Sequence, residues 1–179
     1  RRVYMRKFFA ELERQLRIEV GHGGGAPVEL KAHVDSKLVA RFDEARVARA
    51  IHNLARNSIE AMRDKGGVLG IAAELRGADL LISVSDTGPG IPKEVEGRLF
   101  QSFVTAGKRG GTGLGLAIVK KIAEDHGGRV DAPPLRRALG SGGTGRLGGG
   151  SHDPRRGAGG GGPPHAASGL LAGGAGPPR

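Results

Sequence analysis

Asp86-Thr87-Gly88-Pro89-Gly90-Ile91-Pro92 follows the apolar run Leu80 to Ser85, which sets a carboxylate at the end of a strand, at the entry to a Gly-Pro-Gly turn. A glycine-rich stretch lies downstream, Gly110-Gly111-Thr112-Gly113-Leu114-Gly115-Leu116, directly ahead of an apolar helical pattern. Upstream stands Asn53-Leu54-Ala55-Arg56-Asn57-Ser58-Ile59-Glu60-Ala61, whose two asparagines are one helical turn apart. The order of these three segments decides how the rest of the chain is read.

Working outward, residues 3–20 carry Phe8, Phe9, Leu12, Leu16 and Val20 at near-helical spacing, and Gly21 to Gly25 end that helix. Val28 to Leu30 and Leu38 to Phe42 read as short strands. Asp43 and Glu44 open a second helix, where acidic side chains suit the unpaired N–H groups. Its apolar side is Val47, Ala50, Ile51, Leu54 and Met62, and Gly66-Gly67 stops it. Val68 to Leu75 and Leu80 to Ser85 pair through a turn near Gly77-Ala78-Asp79. A last helix runs from Leu114 to His126 and closes on Gly127-Gly128. Irregular alternation of this kind predicts a two-layer α/β sandwich, a mixed sheet with helices on one face.

Composition narrows the function. The 179 residues hold no cysteine, which excludes disulfides and thiolate metal sites. No apolar run reaches the roughly 18 residues of a membrane span, and no signal-peptide pattern follows the basic start Arg1-Arg2-Val3-Tyr4-Met5-Arg6-Lys7. A cytoplasmic setting is expected for this domain, within a parent protein that a membrane segment elsewhere could anchor. The first residue is not methionine, and a fragment of a longer protein is expected.

The net charge of +10 is uneven: residues 133–179 hold six arginines and a single acid, Asp153. No aromatic residue lies among those arginines, so the basic stripe with stacking rings that marks nucleic-acid binding is missing, and no nucleic-acid partner is expected. In the same segment glycine and proline fill 23 of 47 positions, a composition that buries too little apolar surface to order itself. Residues 133–179 are therefore expected to be disordered and to add no strand to the sheet.

The three segments carry specific chemistry. On a helix, Asn53, Asn57 and Glu60 share one face. An asparagine oxygen is a neutral donor that can complete a Mg²⁺ octahedron already filled by phosphate oxygens and waters. A carboxylate at a strand end, here Asp86, can accept from the exocyclic amine of adenine, while glycines beside it let a flat ring approach the backbone. Backbone N–H groups of a glycine run before a helix can face phosphates, with Lys108 and Arg109 at hand to offset their charge. Each segment alone has an ordinary explanation: surface asparagines, an Asp-Thr-Gly turn, a flexible loop. Neither a P-loop nor a Rossmann glycine pattern is present. The combination is what carries the signal.

Taken together, the chain resembles the ATP-binding catalytic domain of sensor histidine kinases, in the superfamily that includes gyrase-type topoisomerases, mismatch-repair ATPases and heat-shock chaperones, and so implies a Bergerat-type fold. Asn53 to Ser58 resembles the family's N box, Asp86 to Pro92 its G1 box, Leu99 to Thr105 its F box, and Gly111 to Leu116 its G2 box. The Asn-Ser-Ile-Glu-Ala-Met form is similar to the nitrogen-regulation branch. The resemblance implies ATP and Mg²⁺ as cofactors, with Asn57 as metal ligand, Asp86 reading adenine, and Gly88 and Gly90 shaping its pocket. Residues 100–110 would form a lid with Lys108 near the phosphates, and Gly111, Thr112, Gly113, Leu114, Gly115 and Leu116 would present backbone N–H groups to them.

Asn53 carries the mechanistic implication. The hydrolytic relatives place glutamate four residues before the metal asparagine, where it activates water. Asn53 cannot take up a proton at neutral pH, so it orients a group without acting as general base. Such a site suits transfer of the γ-phosphate to a histidine, which brings its own reactivity. His52 points elsewhere on the helix and is read as structural.

The implied function is that of a two-component kinase catalytic domain, with a histidine-bearing dimerisation domain and a response regulator as partners. A homodimer would form only with dimerisation helices that this chain lacks. The alternatives are a non-catalytic ATP-binding module and an anti-sigma-type serine kinase. Expected organisation is a dimerisation-helix remnant and linker over 1–25, the ATP-binding domain over 26–132, and the tail. Pro133-Pro134 stands where the family continues its sheet, so the last strands are expected to be lacking.

Overall fold

The computed structural model describes residues 1–22, 24–104, 113–132 and 166–174. Strand β1 (Arg2–Tyr4) leads into helix α1 (Met5–His22), followed by β2 (Val28–Val34), β3 (Val39–Arg41) and helix α2 (Glu44–Ala61). Then come β4 (Gly67–Arg76), β5 (Asp79–Asp86), the single turn α3 (Lys93–Glu96), helix α4 (Gly115–Asp125) and β6 (Ala166–Gly174). The main sheet has the order β2-β4-β5-β6 and is mixed: β2 runs parallel to β4, while β4–β5 and β5–β6 are antiparallel. β1 and β3 form a separate antiparallel pair.

The expected two-layer arrangement follows from where the apolar side chains fall. Along β5, Leu80, Ile82, Val84 and Asp86 recur with period two and are all buried. Register sets them opposite Leu75, Ala73, Ile71 and Leu69 of β4, of which the last three are buried as well. This face meets the helices. Helix α2 buries Val47, Ala50, Ile51, Leu54, Ala55 and Ser58, a stripe at three- and four-residue spacing. α1 contributes Met5, Phe8, Phe9, Leu12 and Leu16, and α4 contributes Val119, Ile122 and Ala123. All the apolar members join one core cluster.

Helix ends are set by named residues. Asp43 caps α2 by accepting from the Arg46 N–H at 3.1 Å. α4 closes in a Schellman arrangement, with Gly128 N–H donating to Ala123 O and Gly127 N–H to Glu124 O, both at 2.9 Å. The two ends meet: Asp43 N–H donates to His126 Nε2 at 3.1 Å, while His126 Nδ1 faces Ile122 O at 2.7 Å. That pairing is satisfied on both sides by the Nδ1–H tautomer. Arg46 and Lys121 both bond Asp125 beside it.

Three expectations need correction. The first helix begins at Met5, because Arg2, Val3 and Tyr4 pair with Arg41, Ala40 and Val39. Residues 1–25 are not set apart from the domain, since β1 joins a sheet and α1 fills the shared core. The segment 133–179 does supply a strand: β6 pairs with β5 from Asp79↔Gly174 to Asp86↔Ala166, with an irregularity between Ser83 and Ser85. Ala166 to Gly174 contains no proline, so its backbone can complete a ladder that Pro133-Pro134 cannot.

Candidate functional site

The period-two run of β5 carries Asp86 onto the helix-covered face, where it is 4% exposed. Ser58 Oγ donates to its Oδ2 at 2.7 Å, and Gly88 N–H donates to its Oδ1 at 2.9 Å. The carboxylate is thus held from α2 on one side and from its own turn on the other. Next to it, Thr87 Oγ1 accepts from Val68 N–H at 2.9 Å and lies 3.7 Å from Met62 Sδ. A Cβ on Gly88 would come within 2.9 Å of Asp86 Oδ1 and 3.3 Å of Met62 Cγ, so a side chain there would press on the carboxylate. Gly90, with φ +84°, finishes the turn.

Asn53 and Asn57 are half-buried one turn apart on α2, and Glu60 is exposed beyond them. Asn53 Nδ2 donates to Gly115 O at 3.3 Å, which ties α2 to the first residue of α4. Gly113 has φ +65°, and its carbonyl accepts from Phe103 N–H at 2.9 Å. A Cβ at Gly113 would lie 2.7 Å from Phe103 Cα, so the backbones approach as only glycine permits. Phe103 itself is 78% exposed and takes φ +66°. Leu114 is the N-cap of α4 and is exposed, whereas Leu116 is half-buried against the core. Lys108, Gly111 and Thr112 lie outside the described residues, as does most of the expected lid.

The structure therefore brings Asn53 beside the start of α4, and Ser58 of α2 beside Asp86. His52 faces the other way, with Nε2 2.9 Å from Gln15 Oε1 and Nδ1 2.9 Å from Glu19 Oε1, both on α1. Ser58 closes the N-box-like segment and Met62 falls on the apolar side of α2, but sequence reasoning held no expectation that they and Thr87 would gather around Asp86. The signal was present: Leu54, Ser58 and Met62 stand at four-residue spacing on the apolar stripe of α2, so a hydroxyl interrupts a core face. Among the described residues no group of three or more His, Asp or Glu side chains could hold a metal ion. A Mg²⁺ here would be held by an asparagine oxygen together with the ligand's own oxygens, the donor set that this ion accepts.

Residues 42–158 match the family model described as histidine kinase-, DNA gyrase B-, and HSP90-like ATPase. The nitrogen regulation protein NtrY of Azorhizobium caulinodans is 39% identical over 131 residues, 68% of this chain and 16% of that protein. The sensory histidine kinase/phosphatase NtrB of Azospirillum brasilense is 42% identical over 100 residues, 47% of this chain and 25% of that protein. The chain thus spans a quarter or less of these relatives. The catalytic domain of histidine kinase ThkA superposes with a TM-score of 0.65 at 27% identity, covering 75% of this chain and 88% of that one. Mycobacterial sensor histidine kinase MprB shares the fold, with a TM-score of 0.69 at 22% identity over 98% of this chain and 99% of that one. With its buried strand-end carboxylate, asparagine-bearing helix and glycine-led α4, the chain belongs to the histidine kinase-, DNA gyrase B- and HSP90-like ATPase family, among relatives that are sensor histidine kinases.

Proposed function

We propose that this chain is the Mg-ATP-binding catalytic domain of a two-component sensor histidine kinase. It passes the γ-phosphate to a histidine on a dimerisation domain, in a pathway that ends at a response regulator. The observation that carries the reading is Asp86, an oriented carboxylate at a strand end, flanked by glycines and by the asparagine helix. In this reading Asp86 accepts from the adenine amine, and Gly88 and Gly90 admit the ring. Asn57 offers its amide oxygen to Mg²⁺. The N–H groups between Gly111 and Leu116, with Lys108, face the phosphates.

ATP supplies the phosphoryl group, and Mg²⁺ offsets the charge on its oxygens. The protein's share is to bind, orient and exclude water. The Asn53 amide, engaged with Gly115 O, positions α4 against α2 and offers no base to water. No helix among the described residues is long and apolar enough to cross a membrane. We place the domain in the cytoplasm as part of the same proposal.

The test is phosphotransfer in trans. The purified chain is mixed with [γ-³²P]ATP, Mg²⁺ and a separate histidine-bearing dimerisation domain of a nitrogen-regulation kinase. Acid-labile, base-stable label on that domain is expected, with little phosphate release in its absence. Rapid hydrolysis without acceptor would indicate a hydrolytic relative. Acid-stable label on serine would indicate a serine kinase, and nucleotide binding without any transfer a regulatory module.

A further inference from the structure

The hydrogen bond between Ser58 and Asp86 joins the last residue of the N-box-like segment to the strand-end carboxylate, a link that neither segment shows by itself. Ser58 sits on the buried stripe of α2 and is 2% exposed; Asp86 is 4% exposed. A serine within a helix commonly turns its hydroxyl back to the carbonyl four residues earlier. Here the proton is given across the layers to Asp86 Oδ2, at 2.7 Å.

The consequence is rotational. The terminal torsion of an aspartate is a broad, two-fold rotor, so burial alone does not fix the plane of its carboxylate. A donor at each oxygen does fix it, provided the two come from separate rigid elements. Ser58 Oγ belongs to α2 and Gly88 N–H to the turn after β5, and they hold Oδ2 and Oδ1 respectively. A carboxylate presents about four acceptor sites, so two such bonds do not by themselves exhaust it. They determine where the remaining lone pairs point. Gly88 reinforces the arrangement, because its missing side chain leaves room for Oδ1.

We propose that Ser58 is a positioning residue for base selection: by locking the carboxylate plane of Asp86 it sets the preference of the site for a purine bearing a 6-amino group. This rests on the reading of Asp86 as the adenine acceptor. Without the hydroxyl, Asp86 keeps its hydrogen bond from Gly88 N–H but loses the donor from α2 that orients Oδ2. Affinity that depends on the 6-amine then falls, while affinity through ring stacking and phosphates does not.

The experiment compares ATP with purine riboside triphosphate, the same nucleotide without the 6-amino group. Both are titrated against the full chain by displacement of a fluorescent ATP analogue. Wild-type protein is expected to favour ATP. In Ser58→Ala the ATP affinity should drop about tenfold, the size of one charge-assisted hydrogen bond, with that of purine riboside triphosphate nearly unchanged. Ser58→Thr, which keeps the hydroxyl, should recover most of the preference, and Ser58→Cys, a weak donor of similar volume, should fall between. Thermal melts identify any variant that has lost the fold, and the cysteine form then replaces the alanine one. Equal losses for both nucleotides, or an unaltered ratio in Ser58→Ala and Ser58→Cys, would overturn the role of Ser58 while leaving Asp86 as reader. No preference for ATP in the wild-type protein would instead overturn the reading of Asp86 itself.

Discussion

At the scale of single residues, the buried Asp86, the half-buried Asn57 and Gly67 are expected to act in different ways. Asp86→Ala should weaken ATP by roughly ten- to hundredfold, the worth of a hydrogen bond to an ionised acceptor. Equal competition by ATP and GTP against the wild-type chain would show that Asp86 does not read the base. Asn57→Ala removes a half-buried amide without opening a core cavity, so the fold should persist while the Mg²⁺-dependent part of ATP affinity is lost. Titration of a fluorescent ATP analogue with and without Mg²⁺ checks this, and an unchanged Mg²⁺ effect would remove Asn57 as the ligand. Gly67 is different in kind. It has φ +153°, and a Cβ there would lie 2.6 Å from Met62 Sδ and also strike Thr87 Oγ1. Gly67→Ala should therefore destabilise by about 1–3 kcal/mol through backbone strain and overpacking next to the turn, read as a lowered urea midpoint.

Between elements, the junction of α2 and α4 is electrostatic as well as apolar. Bonds from Lys121 and Arg46 hold the Asp125 carboxyl down from 3.8 to about 2. The bond from Arg46 N–H likewise lowers that of Asp43. Both carboxyls are depressed in the folded chain, so the unfolded chain takes up protons first as pH falls. Their stabilisation is full above the ordinary carboxylate range and is lost as pH drops from about 5 toward 2. Asp125→Asn should accordingly lower the chemical-denaturation midpoint near neutral pH, with the gap to wild type closing below about pH 4. A gap of constant size down to pH 3 would show that Asp125 stabilises by some means other than its charge. The same junction orients α4, whose first residue bonds Asn53, so its loosening should also be felt in nucleotide affinity.

For the whole molecule, the sheet is completed from an unexpected place. Deleting residues 133–179 takes away β6 and leaves β5 as a bare edge. The thermal midpoint should fall and the β5 amides exchange faster; an unchanged midpoint would mean that β6 adds nothing to stability. What the sequence determined by itself was local and periodic. Three- and four-residue spacing specified α2 and α4, alternation specified β4 and β5, and glycines with Asp86 and Asn57 pointed to the proposed site, because each is a property of neighbours along the chain. What only the tertiary structure decided was every relation across the chain. Arg2–Tyr4 is a strand because β3 lies beside it, and α1 belongs to the domain because its apolar stripe meets the common core. Ser58 found Asp86 across the layers, and a glycine-rich stretch became β6 because β5 offered it a ladder. A hydroxyl on an apolar stripe, or a run of small residues, has no fixed conformation of its own. The partner it meets in the fold supplies the free energy that decides it.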